Sequence, residues 1–403
     1  MLGVITNVTI TQNSTDQYPN RNKIFEFNFM ASGDGNSAWE HLTDTFTLVM
    51  PRKIYFKDGS TGKVTTWDKE PIYGNPDVQP LLLRGDSVSV EWGYSFFQSS
   101  NENNYDRNTI ITQVVKRFDG FITKIKNKTP FEIECKDNMY KLQQTLVESK
   151  EWLVDNKTYT VEKMLKEMMS KSAVNGVKNF VIKTDNYKHS IGKVSWANYT
   201  IAQVLDDLRK TYKLESFFRG NELRVGVIRY YPEDRVNHKF HFQKNIVDDD
   251  LDYQRADDVR IGIIAKSINK VELVGTNKAG KKKTKHQQLT VTVGDKDGEL
   301  RTLFFWGVST IDLLKKLAEK KLPFIKYEGF RGSFTTFGLP FVKHGDSVDL
   351  TDEVLPERNG VYMVKSVEQL SSVGGGLKQR IHIDFRIDSL TAEQLSEVQS
   401  NGL

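Results

Sequence analysis

Two histidines three residues apart, His238 and His241, are the first candidates for chemistry, because paired imidazoles can hold a metal ion. The surrounding residues predict a β-strand, in which residues three apart point to opposite faces. A metal also needs three or four converging ligands, and neither a cysteine nor a third histidine lies close in sequence. We therefore predict no metal site and no cofactor here.

An acidic run could bind a hard cation or contribute a catalytic carboxylate pair. Its members are Asp248, Asp249, Asp250 and Asp252. The run lacks the order of ligands and the sharp-turn glycine of a calcium loop. It is predicted to be a solvated turn.

One basic run is a candidate interaction loop. Its lysines are Lys278, Lys281, Lys282, Lys283 and Lys285. Mutual repulsion favours an exposed hairpin tip between two strands. Contact with nucleic acid and contact with an acidic protein face both remain open, although the absence of interleaved aromatic residues disfavours a single-strand binding groove.

Other candidate motifs have simpler interpretations. Arg84-Gly85-Asp86 resembles an adhesion tripeptide but is predicted to be a turn before a strand. Cys135 is the only cysteine, which excludes an intrachain disulfide and a cysteine-based zinc site, and it is predicted to be a core residue. No nucleophile elbow, zinc-protease helix motif or phosphate-binding loop is present. We predict no catalytic residues and no enzymatic activity.

The bulk properties predict a folded, multidomain chain. It has 403 residues, 38% of them hydrophobic and 27% charged, and a net charge of +5 that does not by itself indicate nucleic-acid binding. No window offers 18 or more apolar residues, and the N-terminus does not resemble a secretory signal. We expect no membrane span.

A β pattern occurs twice in the chain. The first copy covers residues 83–92, 119–125 and 131–136, and the second covers 342–350, 359–367 and 379–385. Each copy has a Gly-Asp turn before a strand, then a glycine-led strand and a further strand. Two similar β-domains in one chain favour ring geometry over an active site.

The segments around these copies predict the domain plan. Residues 1–147 alternate as β-strands, and the polar stretch 98–108 is expected to be an exposed loop. Residues 148–232 have two amphipathic helical stripes, the second with a capping box at Thr200 and Gln203, and a hairpin at Gly220-Asn221.

β character returns in residues 233–390, and the tail 391–403 is polar. Segments 289–293 and 300–306 are expected to pair with each other. One helix is predicted from an N-cap at Ser309 to just before Pro323. Gly374-Gly375-Gly376 is predicted to be a hairpin turn.

The chain resembles the baseplate hub family of contractile phage tails, the late control protein D group, whose fold also forms the first part of the type VI secretion spike protein. The segments that carry the resemblance are Gly85-Asp86-Ser87-Val88, Gly345-Asp346-Ser347-Val348, Phe118-Asp119-Gly120-Phe121-Ile122, Gly360-Val361-Tyr362-Met363-Val364, and the helix and hairpin at 203–208 and 223–226. The likeness spans nearly the whole chain.

The resemblance implies a fold that is mainly β with α+β character. Two tail-tube-like β-barrel domains (1–147 and 233–390) would be separated by a small α/β middle domain (148–232). It also implies a homotrimer whose six barrels form a ring joining a sixfold tail tube to a threefold spike.

The implied partners are the tail tube protein, other baseplate proteins and a spike that is a separate polypeptide, because only the short tail follows the second barrel. Nucleic acid would only pass through the channel. The implied location is the virion tail, assembled in the cytoplasm of a bacterial host. The alternative function is a tail-associated carbohydrate-binding or glycan-degrading protein, which would need a cleft with exposed aromatic residues and a carboxylate pair.

Overall fold

The computed structural model describes most of the chain. The described residues are 2–51, 55–59, 61–66, 80–97, 110–126, 128–155, 157–184, 191–226, 235–268, 271–276, 282–388 and 390. The predicted loop 98–108, the tail 391–403 and two lysines of the predicted interaction loop, Lys278 and Lys281, lie outside them. Among the helices that are described, none is long and apolar enough to cross a membrane.

Strands dominate the first part of the chain, which we call the first β unit. Its elements are β1 (Leu2–Thr11), β2 (Ile24–Phe27), β3 (Ser32–Ala38), β4 (Thr45–Met50), β5 (Tyr55–Asp58), β6 (Val64–Thr66), β7 (Ser87–Phe97), β8 (Ile110–Lys126), β9 (Phe131–Lys136) and α1 (Met139–Leu142). Cys135 lies in β9 and is buried, as predicted. Burial raises the pKa of its thiol.

Helices and short strands alternate in the middle part. Its elements are β10 (Lys150–Val154), α2 (Val161–Ser170), β11 (Val181–Thr184), β12 (Gly192–Trp196), α3 (Ile201–Tyr212), β13 (Glu215–Arg219) and β14 (Glu222–Gly226). Both predicted helices are confirmed, and the Thr200–Gln203 capping box of α3 is formed in both directions. The helices bury their apolar stripes in one core with these strands.

Strands dominate again after the middle part. The elements are β15 (Asn237–His241), β16 (Ile246–Gln254), β17 (Ile261–Ser267), β18 (Val271–Thr276), β19 (Lys282–Gln287), β20 (Thr290–Gly294), β21 (Glu299–Phe305), α4 (Ile311–Ile325), β22 (Gly329–Phe337), β23 (Ser347–Thr351), β24 (Gly360–Ser372) and β25 (Gly376–Arg386). We call β15, β16 and β22–β25 the second β unit. The prediction of a mainly β chain is confirmed.

The two β units share one sheet. Its order is β16-β22-β25-β24-β3-β4-β9-β8-β7-β1-β2-β5-β6, with β23 paired to β24 and β15 paired to β23. The joint is the antiparallel pairing of β24 with β3, which runs from Ser366 opposite Ala38 to Ser372 opposite Ser32. Among the described strands the path is open, so the closed barrels implied by the resemblance are not seen.

Each β unit has its own core, and the cores meet at the joint. In the first unit Trp92 is fully buried and contacts Phe46 edge to face, with ring centroids 5.2 Å apart. Leu377 of β25 belongs to the same core, and its carbonyl accepts a 2.8 Å hydrogen bond from the Tyr94 hydroxyl. The second unit therefore completes the core of the first.

An inserted module, β17–β21 with α4, lies between β16 and β22. The predicted pairing of its strands at 289–293 and 300–306 is wrong, because β20 and β21 lie on opposite sides of β17, antiparallel and parallel to it. The helix α4 begins one residue later than the sequence predicts. Thr310 caps α4 in place of Ser309, since its side chain accepts from the Leu313 amide, and the helix continues through Pro323.

Candidate functional site

The Gly-Asp turn before β7 is held by backbone and side-chain hydrogen bonds. Gly85 has a φ of +96°, a conformation that favours glycine, and its amide donates to the Ile122 carbonyl at 2.8 Å. The Ile122 amide donates back to the Asp86 carbonyl at 2.9 Å. The Asp86 carboxylate accepts from the Leu83 amide at 2.7 Å. This geometry fixes the start of β7 against β8.

The Gly-Asp turn before β23 repeats this scheme bond by bond. Gly345 has a φ of +89° and donates to the Val364 carbonyl at 2.9 Å, and the Val364 amide donates to the Asp346 carbonyl at 2.9 Å. The Asp346 carboxylate accepts from the Lys343 amide at 2.9 Å. The repeat predicted from sequence is therefore also a repeat in three dimensions.

The cation opposite each turn differs. Arg21 binds Asp86 with two hydrogen bonds of 2.6 and 2.7 Å, and both side chains are almost completely buried. In the second turn His238 takes this place, with Nε2 3.1 Å from the Asp346 carboxylate. Because an arginine cannot lose its proton and a histidine can, only the first turn contains a permanent buried charge pair.

A cleft of about 330 Å³ opens where the two β units and the middle part meet. Asp44 follows β3, Asp137 follows β9, Arg219 ends β13, and Lys343 precedes β23; all four line the cleft. Charged groups from the different parts of the chain lie close together here. We call it the junction cleft.

A serine, a histidine and an aspartate are in contact beside this cleft. The Ser37 hydroxyl lies 2.7 Å from the Asp44 carboxylate and 2.9 Å from His344 Nδ1. In a nucleophilic triad the histidine lies between the other two residues, whereas here the serine does. The other ring nitrogen of His344, Nε2, is buried without a hydrogen-bond partner among the described residues. The cluster therefore lacks the group that would orient a catalytic histidine.

Two carboxyl groups are held together behind this cluster. The Asp44 amide lies 3.3 Å from the Asp137 carboxylate, and the Asp137 amide donates to the Asp44 carbonyl at 3.1 Å. Burial raises the pKa of both carboxyls, and the neighbouring Asp44 raises that of Asp137 further. Asp137 also accepts from the Met139 amide at 3.0 Å, although Asn138, and not Asp137, is the N-cap residue of the short helix α1.

Acidification is expected to destabilise the folded chain through His344. In the folded protein its pKa lies well below the usual 6.5, because burial and the Arg219 guanidinium oppose protonation. The unfolded chain takes up this proton near pH 6.5, so the free energy of unfolding falls as the pH drops below that value. Between pH 7.5 and 5.5 the loss from this group is on the order of 1 kcal/mol.

Urea denaturation at both pH values measures this loss, with His344→Gln as the control. Glutamine takes up no proton, so the variant should lack this part of the pH dependence. The raised pKa values of Asp44 and Asp137 act in the opposite direction, because the folded state then binds protons first, but both proteins carry that contribution. Equal losses in the two proteins would contradict the prediction.

The structure does not bring the candidate residues named from the sequence together in one site. His238 and Phe240 share one side of β15, so His241 points to the other, as strand geometry requires. Across the described residues no group of three or more His, Cys, Asp or Glu is arranged to hold a metal ion. In the adhesion-like tripeptide, Asp86 is buried and engaged by Arg21, so the turn interpretation is confirmed.

The prediction of a turn for the acidic run is wrong. Its aspartates are exposed, as expected, but they lie along β16, an edge strand of the main sheet, and not in a turn. Charged edges of this kind discourage unwanted strand pairing. The turn between β24 and β25 is formed by Val373, Gly374 and Gly375, and Gly376 already begins β25, so the predicted hairpin turn is confirmed with a shift of one residue.

Part of the predicted lysine loop is described. Lys282, Lys283 and Lys285 lie on β19, which pairs antiparallel with β18 as a separate two-stranded sheet.

The sequence does not predict the cluster of Ser37, Asp44 and His344 beside the junction cleft. The sequence contains one weak indication of this cluster, the Gly345-Asp346 turn that follows His344.

Comparison with protein-family models gave no match, and comparison with curated protein sequences gave none. Solved structures do match. A tail protein from Neisseria meningitidis MC58 has a TM-score of 0.55 at 15% identity, covering 96% of this chain and 97% of that one. The chain shares the fold of this tail protein. The 43 kDa tail protein of prophage MuSo2 from Shewanella oneidensis has a TM-score of 0.52 at 10% identity, covering 94% of this chain and 98% of that one.

Proposed function

We propose that this protein is a structural baseplate hub of a phage tail or a related contractile injection machine, without enzymatic activity. In this proposal three copies form a ring with pseudo-sixfold symmetry and a central channel. Each copy contributes two tube-like β domains, 1–147 and 233–390, separated by the α/β middle domain 148–232. The ring joins the tail tube to the central spike.

The observation that carries the proposal is the fold shared with two tail proteins along nearly the full length of each chain. The repeated Gly-Asp turns support it, because they place two units of like construction in one chain. A closed ring needs matching interfaces around its axis, and two like units per subunit can supply six from three subunits.

The proposal includes partners and a location. The hub contacts the tail tube protein, a separate spike protein and other baseplate proteins in the virion tail, after assembly in the host cytoplasm. In this proposal the lysine loop (Lys278, Lys281, Lys282, Lys283 and Lys285) is an interaction loop of the hub. Nucleic acid meets the hub only in passing through the channel.

The purified chain is expected to assemble into a trimer of about three times its 46.3 kDa mass. Light scattering across a concentration series measures the mass, and electron microscopy of the same sample should show rings with a central channel. A mixture with the tail tube protein of the same genome should give rings capping tubes. A stable monomer at high concentration, with compact particles that lack a channel, would overturn the proposal.

A further inference from the structure

A second concave region lies on the outer face of the first β unit, away from the junction cleft. It has a volume of about 500 Å³ and is formed over β1, β2, β5 and β7. The strand pairing brings its polar residues side by side, since Asn7 is opposite Glu91 and Thr9 is opposite Glu26. The apolar residues that alternate with them face the core.

An exposed tyrosine borders this polar surface. Tyr55 lies on β5 with 71% of its surface accessible, although the next residue, Phe56, is buried. Its aromatic ring is therefore held at the surface by a strand whose register is fixed from the core side. Asn28, at the end of β2, is also exposed and lines the same region.

We propose that this region, the β1–β5 cleft, binds a neutral polysaccharide built of pyranose rings. An exposed aromatic ring offers a flat apolar face for the C–H side of a sugar ring, and the amide, hydroxyl and carboxylate groups beside it suit sugar hydroxyls, which both donate and accept. The carboxylates disfavour an anionic ligand. The described lining carries two glutamates and one lysine, Lys57, which already lies 3.4 Å from Glu26.

Two glutamates lie on the concave surface, one on each side of β1. Glu26 and Glu91 are offset by two residues along β1. Strand spacing and rise place their Cα atoms about 12 Å apart. Their carboxylates can accept hydrogen bonds from hydroxyl groups of a sugar that lies across β1.

A glycan array of neutral pyranose oligosaccharides tests the inference with the full chain, followed by calorimetry on the strongest binder. Tyr55→Ala should weaken binding about tenfold, a change of about 1.4 kcal/mol. Tyr55→Phe, which keeps the ring, should bind within about twofold of the original. The matched control is Tyr199→Ala, which removes another exposed tyrosine, from the middle part, and should leave binding unchanged.

Several results would overturn the inference. These are an array without signal above background, signal confined to anionic glycans, or equal binding by the Tyr55→Ala variant and the original chain. Because Tyr55 is mostly exposed, the variant is expected to keep its melting temperature, which separates lost binding from lost folding. The test does not depend on ring assembly, so it stands or fails independently of the proposed tail role.

Discussion

Replacing Asp86 with asparagine is expected to lower the free energy of unfolding by about 3–5 kcal/mol. The substitution preserves the shape of the side chain but leaves the Arg21 guanidinium buried without its charge partner. The Asp86 carboxylate also accepts from the Leu83 and Asn13 amides, so the turn that starts β7 loses support as well. Urea denaturation followed by tryptophan fluorescence measures the change, since Trp92 is in the adjoining core.

Two matched substitutions distinguish the cost of leaving a buried charge unpaired from the cost of losing any aspartate. Asp119→Asn removes an exposed partner of Lys116 and is expected to cost less than about 1 kcal/mol. Asp346→Asn changes the equivalent turn, where the partner is the His238 imidazole and not a guanidinium, so we expect a cost of about 1–3 kcal/mol. A loss at Asp86 no larger than that at Asp119 would contradict the prediction.

Replacing Glu368 with proline is expected to destabilise the joint between the two β units by at least about 1–3 kcal/mol, the cost of leaving a buried backbone partner unpaired. Glu368 is central in β24, opposite Asn36 of β3 on one side and Arg380 of β25 on the other. A proline there removes a ladder hydrogen bond, and its ring disturbs a strand that is paired on both edges. Hydrogen exchange of the β3 and β24 amides should report the loss directly.

The control for this prediction is Glu368→Ala at the same position. Alanine keeps the backbone amide and removes only the side-chain contact with His382, which is partly exposed, so it should cost less than about 1 kcal/mol. If the β3 amides exchange hydrogen equally slowly in the proline and alanine variants, the joint does not depend on this pairing. In the proposed hub, the proline variant should also fail to form rings.

Much of the local structure followed from the sequence because its signals are short-range. The spacing of Val161, Met164 and Leu165 predicted α2, and the Thr200–Gln203 pattern predicted the capping box of α3. The two Gly-Asp turns were found because a positive φ favours glycine. Each of these signals involves residues that lie only a few positions apart in sequence.

Errors arose where a segment had several possible partners. Segments 289–293 and 300–306 were each recognised as strands, but the preference of both for β17 depends on how the inserted module packs around α4. The high charge of the acidic run predicts a solvated turn, whereas the segment is a strand that is exposed at a sheet edge. Strand propensity says little about edge position.

The candidate sites depended most on long-range contacts. Ser37 and His344 are hydrogen-bonded across 307 positions of sequence, and Asp44 completes the cluster. Tyr55 joins the polar residues of β1 and β7 only because β2 and β5 pair beside them. No periodicity in the sequence indicates either arrangement.

The sequence by itself determined that the chain is mainly β, that it contains a repeated Gly-Asp unit and that two helices separate the copies. These properties follow from alternation, helical spacing and turn chemistry, which act over a few residues. Only the tertiary structure decided that β3 and β24 join the copies in one open sheet and that Arg21 and His238 oppose the two turns. Such choices are made by packing and charge burial between distant segments, and neighbouring residues do not encode them.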